Sequence, residues 1–288
     1  MNDLIGTGVA LVSPFNEDRS IDYNGLQRII EHTISGGVDY LVVMGTTGEA
    51  PTISWKEQLE ALSKTIDMVD SRKPIVFGLG GNDTYALCKK SQELSDYPIA
   101  AILSASPYYN KPSQKGLIAH YEALADSSSI PILLYNVPGR TGSNIEAATS
   151  IALSQHENII GLKEASGDIT QFEKVKNNVA SDFLMLSGDD SNTLETIRMG
   201  GHGVISVVAN LLPKAFSQMV KLALSGQFDA AEVENKSMEL VYRLSVMEGN
   251  PTSIKTGLTS AGFIKNYMRL PLTEGSDSLK NAFIEAQT

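Results

Sequence analysis

The chain has 288 residues, 42% of them hydrophobic and 19% charged, with a formal net charge of −10 and a pI near 4.9. A surface of that sign repels phosphate backbones and anionic lipid, which argues against nucleic acid or a membrane as a partner. A single cysteine, Cys88, excludes a disulfide framework and a cysteine-built zinc site.

The N-terminus offers Asp3 and no basic run before its first apolar segment, so a signal peptide is not expected and a cytoplasmic location is. Short apolar runs of strand length then alternate with amphipathic runs of helix length. The strand candidates, in order, are Gly8–Val12, Tyr40–Met44, Ile75–Leu79, Ala100–Ser104, Ile132–Tyr135, Ile159–Lys163, Phe183–Ser187 and Gly203–Val207. They are rich in Val, Ile and Leu without polar alternation, which suits strands covered on both faces. Ser54-Trp55-Lys56-Glu57 and Thr170-Gln171-Phe172-Glu173 read as capping boxes at helix starts, and Asn192-Thr193-Leu194-Glu195 as a weaker one.

Parallel strands separated by single helices need right-handed crossovers, and eight such units in about 225 residues favour a closed (β/α)8 TIM barrel over an open sheet. From Leu212 onward the pattern is all helical, through Ala215–Leu224, Ala230–Met247 and Ser253–Asn266. Gly226 and the Gly249-Asn250-Pro251 break separate these helices. The division expected is a catalytic barrel over 1–225 and a C-terminal helical extension over 226–288.

In such a barrel the chemistry sits where strands end. The stretches that follow strands two, four, five, six and seven are unusually polar: Gly45-Thr46-Thr47-Gly48-Glu49, Ser106–Pro112, Tyr135–Thr141, Lys163–Asp168 and Ser187–Asp190. Lys163 closes the run Ile159-Ile160-Gly161-Leu162, which has no other polar side chain. Facing the barrel mouth, such an amine is a nucleophile toward ketones; facing outward, it snorkels into water. Tyr135 lies one strand earlier at the same height, where its phenol can move the protons of imine formation, or simply serve as a core tyrosine. The Gly45–Gly48 turn offers two hydroxyls and backbone N–H groups to a small carboxylate, but is equally an ordinary glycine turn.

Gly78-Leu79-Gly80-Gly81-Asn82-Asp83 has Asp83 where a dinucleotide fingerprint needs its third glycine, and no Walker sequence occurs. The four histidines lack ligand spacing. Asp189 and Asp190 read as loop and capping residues, and His202 as structural. No cofactor and no metal are expected.

The motifs together carry a resemblance. Gly-Thr-Thr-Gly-Glu at 45–49, Tyr-Tyr-Asn-Lys-Pro at 108–112, Tyr-Asn-Val-Pro-Gly-Arg-Thr at 135–141 and Gly-Leu-Lys-Glu-Ala-Ser-Gly-Asp at 161–168 occur in order. Ser-Gly-Asp-Asp at 187–190 and Gly-Gly-His-Gly-Val-Ile-Ser-Val at 200–207 complete the series. Over nearly its whole length the chain resembles the dihydrodipicolinate synthase family, within a wider group that includes N-acetylneuraminate lyase. The resemblance implies that Lys163 forms an imine with pyruvate, whose enamine attacks L-aspartate 4-semialdehyde, in diaminopimelate and lysine biosynthesis. It implies a proton relay of Tyr135, Thr46 and Tyr109, with Tyr109 reaching a neighbouring subunit's site in a homodimer or homotetramer. Thr47 matches the position that holds the pyruvate carboxylate, Arg140 the one that receives the aldehyde's carboxylate, and Gly188 and Ile205 the pocket wall.

Arg140 and the Tyr108-Tyr109 pair favour the synthase over a keto-sugar-acid aldolase or sialate lyase. A non-catalytic pyruvate-sensing barrel is the reading from another class. Many family members also bind L-lysine between subunits. Here Tyr108 and Asn82 match two residues of that cleft, but Ala86 stands where a glutamate is found and Trp55 where a histidine is common. Weak or absent inhibition by L-lysine is therefore expected.

Overall fold

The computed structural model describes residues 2–286. Its described residues form eight parallel strands closed into a barrel in chain order. The strands are β1 Gly6–Ala10, β2 Tyr40–Val43, β3 Ile75–Gly78, β4 Ala101–Ala105, β5 Ile132–Asn136, β6 Ile159–Glu164, β7 Leu184–Ser187 and β8 Gly203–Ser206. Helices α1 Tyr23–Ser35, α2 Trp55–Val69, α3 Thr84–Glu93 and α4 Gln114–Ser127 join the first five. A short turn of helix, α5 Pro138–Thr141, precedes α6 Ala147–Leu153, α7 Ile169–Lys176, α8 Thr193–Arg198 and α9 Pro213–Leu224. The extension comprises α10 Phe228–Ser237, α11 Glu239–Val246, α12 Thr252–Ser260 and α13 Asp277–Ala286.

Two apolar clusters explain why the strand sequences do not alternate. One fills the barrel with Tyr40, Val42, Val76, Leu103, Leu133, Leu186 and Ile205 among others. The second, made by the opposite strand faces and the inner stripes of the helices, includes Leu41, Phe77, Ile132, Leu134, Phe172 and Phe216. Both faces of each strand are thus removed from water, as parallel sheets require.

Strand boundaries fall within two residues of expectation. The first strand begins earlier because Gly6, which reads as a breaker, pairs with Gly203 and helps close the barrel. The capping box at Ser54 and Glu57 is present, with each side chain bonding to the other's backbone N–H. The one expected at Thr170 is absent. Asp168 caps α7 instead, its carboxylate accepting from Gln171 N at 3.1 Å, and Thr170 lies inside the first turn. Asn192 holds the cap position of α8 without a side-chain capping bond.

The expected single helix over 230–247 is two. The chain turns at Met238, whose N–H bonds back three residues to Asn235 and whose side chain is buried. After the turn, Tyr242 packs edge-on against Phe216 of α9 and donates to Asn235 Oδ1 across the break. Helix α12 stops at Ser260, short of the expected Asn266, before Gly262 at φ 78°. Helix α13, not expected, starts where Ser276 accepts from Leu279 N. Cys88, in α3, is half-buried. Among the described residues no helix is long and apolar enough to cross a membrane.

Candidate active site at the barrel mouth

Simple alternation does not aim Lys163 into the barrel. Ile159 pairs with Ile132, and both belong to the outer cluster. Side chains two residues apart share a face, so Lys163 would follow Ile159 outward. The register, however, shifts between Ile132 and Leu133, whose partner is Gly161. Ile160 is therefore an extra residue, and it packs with the inner cluster. This β-bulge inverts the alternation and places Lys163 opposite Tyr135 on the inner face. Gly161 tolerates no side chain there, because a Cβ would come within 2.6 Å of Leu184 Cβ.

Lys163 is 5% exposed and its ammonium lies 4.3 Å from the centre of the Tyr135 ring. The negative face of the phenol stabilises the cation electrostatically. Beside them, Gly188 follows β7, and a Cβ at this glycine would lie 3.0 Å from Lys163 Cε. The same Cβ would come within 2.5 Å of Ala165 Cβ, so the close packing of the β6 and β7 strand ends requires a glycine here. Ile205, in β8, belongs to the inner cluster with Tyr135.

Tyr135, Thr46 and Arg140 line a cavity of about 480 Å³ that opens at the strand ends. No Asp or Glu is among its lining residues, and two cations are, Arg140 and Lys90. Thr47, next to Thr46, is buried, and its Oγ1 accepts from Asn250 Nδ2 at 3.0 Å. Arg140 sits in α5, which Pro138 starts, and donates from Nη2 to the Asn250 carbonyl at 3.0 Å. A larger opening of about 660 Å³ lies away from the strand ends, beside α1, with Arg28, Glu31 and His32 in its lining.

Tyr109 is not brought to this cavity within its own chain. It is 88% exposed and held at φ 68°, while Tyr108 lines the cavity and donates its backbone N–H to Asn82 Oδ1. A bulky non-glycine residue with positive φ on open surface is strained without a visible internal reason.

The acidic pair after β7 caps backbone. Asp189 accepts from Ser191 N and Asn192 N, and Asp190 from Val207 N and Val208 N. Burial pushes the Asp190 carboxyl up to about 6. His202 accepts from Met185 N at the opposite end of the barrel.

Sequence reasoning missed two residues from the extension. Asn250 reads as part of a helix break, yet it joins Thr47 to Arg140. Lys255, fully buried in α12, donates to Glu49 Oε1 at 2.6 Å, to the Ser13 carbonyl and to the Tyr267 carbonyl. Burial pulls the pKa of that ammonium down to about 8, although the Glu49 carboxylate opposes the shift. Glu49 ends the Gly45–Glu49 loop in a left-handed conformation, φ 56°. Nothing local in the sequence links position 255 to position 49.

A cavity bearing hydroxyls, a phenol and cations, with a water-shielded amine behind the phenol, suits Schiff-base chemistry on small carboxylates. The chain is an enzyme of that class, a carbon–carbon lyase or synthase of the class I aldolase type. It matches the model of the dihydrodipicolinate synthetase family over residues 3–287 and belongs to that family. It is 45% identical to the 4-hydroxy-tetrahydrodipicolinate synthase of Parabacteroides distasonis, an alignment covering 94% of this chain and 91% of that one. Dihydrodipicolinate synthase from Thermotoga maritima superposes with a TM-score of 0.95 at 33% identity, covering 98% and 97% of the two chains. The chloride-inhibited dihydrodipicolinate synthase from Acinetobacter baumannii, complexed with pyruvate, gives 0.96 at 34% identity over 98% and 97%.

Proposed function

We propose that this chain is a 4-hydroxy-tetrahydrodipicolinate synthase that condenses pyruvate with L-aspartate 4-semialdehyde in diaminopimelate and lysine biosynthesis. The observation that carries the reading is the inward Lys163, turned by the bulge at Ile160 and set over Tyr135. The Lys163 amine attacks the pyruvate ketone and, with loss of water, forms an imine. Loss of a methyl proton gives the enamine, whose carbon attacks the aldehyde. The semialdehyde's own amine then displaces the lysine and closes the ring.

Proton movements fall to Tyr135 and Thr46, with Tyr109 supplied by a neighbouring subunit of a homodimer or homotetramer. Thr47 holds the pyruvate carboxylate, and Gly188 and Ile205 form the wall behind Lys163. Arg140, with no carboxylate of the described residues in ion-pair range, grips the aldehyde's carboxylate. The enzyme works in the cytoplasm. The same reading divides the chain into a catalytic barrel, 1–225, and a helical extension, 226–288, at Gly226.

The test is a coupled assay with pyruvate and a panel of aldehydes. The expected outcome is a clear preference for L-aspartate 4-semialdehyde over sugar aldehydes; preference for a sugar aldehyde would overturn the substrate assignment.

A further inference from the structure

Asn250 lies in the turn between α11 and α12, outside the barrel, and touches two loops of the mouth at once. Its Nδ2 donates to Thr47 Oγ1 and its backbone carbonyl accepts from Arg140 Nη2, each at 3.0 Å. The turn is itself fixed, with Ser253 N donating to the Gly249 carbonyl and Glu248 N to Ser253 Oγ. We infer that Asn250 is a positioning residue that aims the Thr47 hydroxyl proton and the Arg140 guanidinium at the two substrate carboxylates. The inference rests on the proposed function and deepens it.

A threonine hydroxyl has one proton and two acceptor lone pairs. When the Asn250 amide occupies one lone pair, the proton must point elsewhere. Thr47 is buried, and its hydroxyl makes no other hydrogen bond among the described residues, so the proton stays available to an incoming carboxylate oxygen. Arg140 spends one of its five N–H donors on the Asn250 carbonyl, which fixes the plane of the fork and leaves the other donors for a second carboxylate. Pre-orientation of this kind lowers the cost of binding without adding a contact to the substrate.

A purely structural role fits poorly. Asn250 Oδ1 is buried with no hydrogen-bond partner among the described residues. An unpaired buried acceptor costs stability, which offsets what the Nδ2–Thr47 bond contributes to the fold.

The experiment compares Asn250→Ala and Asn250→Asp with wild type by steady-state kinetics, by borohydride trapping as a function of pyruvate concentration, and by thermal melting. Asn250→Ala should raise the pyruvate concentration for half-maximal trapping about 2- to 13-fold, the value of one ordinary hydrogen bond. Its melting temperature should be unchanged or higher. In Asn250→Asp the carboxylate can only accept, so the Thr47 hydroxyl donates to it instead of to substrate, and a negative charge sits beside the pyruvate site; the shift should be larger than for alanine. In Asn250→Ala combined with Thr47→Val the two losses should not add, as for groups acting on one bond. Unchanged trapping curves in both single variants, or additive losses in the double variant, would overturn the inference while wild-type trapping leaves the proposed function standing. Failure of wild-type enzyme to trap pyruvate would overturn both.

Discussion

On the proposed function, Lys163 and Arg140 serve different substrates. The lysine is inward, shielded and stacked on Tyr135, while the arginine lines the outer cavity with donors to spare. Replacing Arg140 by Ala should therefore weaken use of the aldehyde and leave pyruvate trapping nearly intact. A charge-assisted contact contributes about 1.5–3 kcal/mol, a loss of roughly 10- to 150-fold in kcat/KM for the aldehyde. Equal damage to trapping would place Arg140 in the pyruvate site instead. The identities of both residues were legible in the sequence, because strand-end position and side-chain chemistry are local properties. The direction of Lys163 was not. Ile159-Ile160-Gly161-Leu162 carries no polar alternation from which a one-residue slip in register can be read.

The C-terminal extension is an element of the active site as much as of the fold. Lys255 from α12 and Asn250 from the preceding turn both hold the Gly45–Glu49 loop, one through Glu49 and the other through Thr47. Arg269 adds a third clamp, donating its backbone N–H to Glu49 and its guanidinium to Glu57, whose carboxyl it holds down at about 2. Removing one partner of a fully buried ion pair strands the other charge, at a cost of about 3–5 kcal/mol. Lys255→Met should accordingly lower stability by that order in chemical denaturation and disturb Thr47 with it. Adding Glu49→Leu to Lys255→Met should recover much of the stability; a double variant as unstable as the single would show that lost packing, not the stranded carboxylate, sets the cost. The helical character of this tail was legible, since 3.6-residue periodicity is a local signal. The break at Met238 and the Lys255–Glu49 pair were not, because tertiary packing dictates the first and the second joins residues 206 positions apart.

At the scale of the whole molecule, the surface placement of Tyr109 keeps it from the cavity of its own chain, so the proposed relay needs a second subunit. Mixing inactive Tyr109→Phe subunits with inactive Lys163→Ala subunits should restore one competent site per mixed dimer. No recovery despite proven subunit exchange would mean that Tyr109 does not act in trans. Trp55 and Tyr108, which the family resemblance places at an L-lysine cleft between subunits, line the outer half of the cavity. Lys90 sets its ammonium 4.9 Å over the Trp55 ring, and Trp55 Nε1 donates to Glu93 at 2.7 Å. Gln58 is committed to the Ala50 and Ile53 carbonyls, Asp83 caps Ala86 N, and Glu57 binds Arg269. An effector ammonium would meet a like charge and no free carboxylate in the cavity lining, and desolvating it there costs several kcal/mol. Half-inhibition by L-lysine should lie well above about 1 mM, where binding is worth roughly 4 kcal/mol; inhibition below that would show another carboxylate has taken the role. All of these expectations presuppose that the barrel works through an imine at one lysine. The direct measurement is borohydride reduction in the presence of pyruvate, followed by intact mass and peptide mapping. A single adduct per chain on Lys163 is expected, lost in Lys163→Ala with the fold intact. An adduct on Lys111, Lys214 or any other lysine, or no adduct at all, would contradict it.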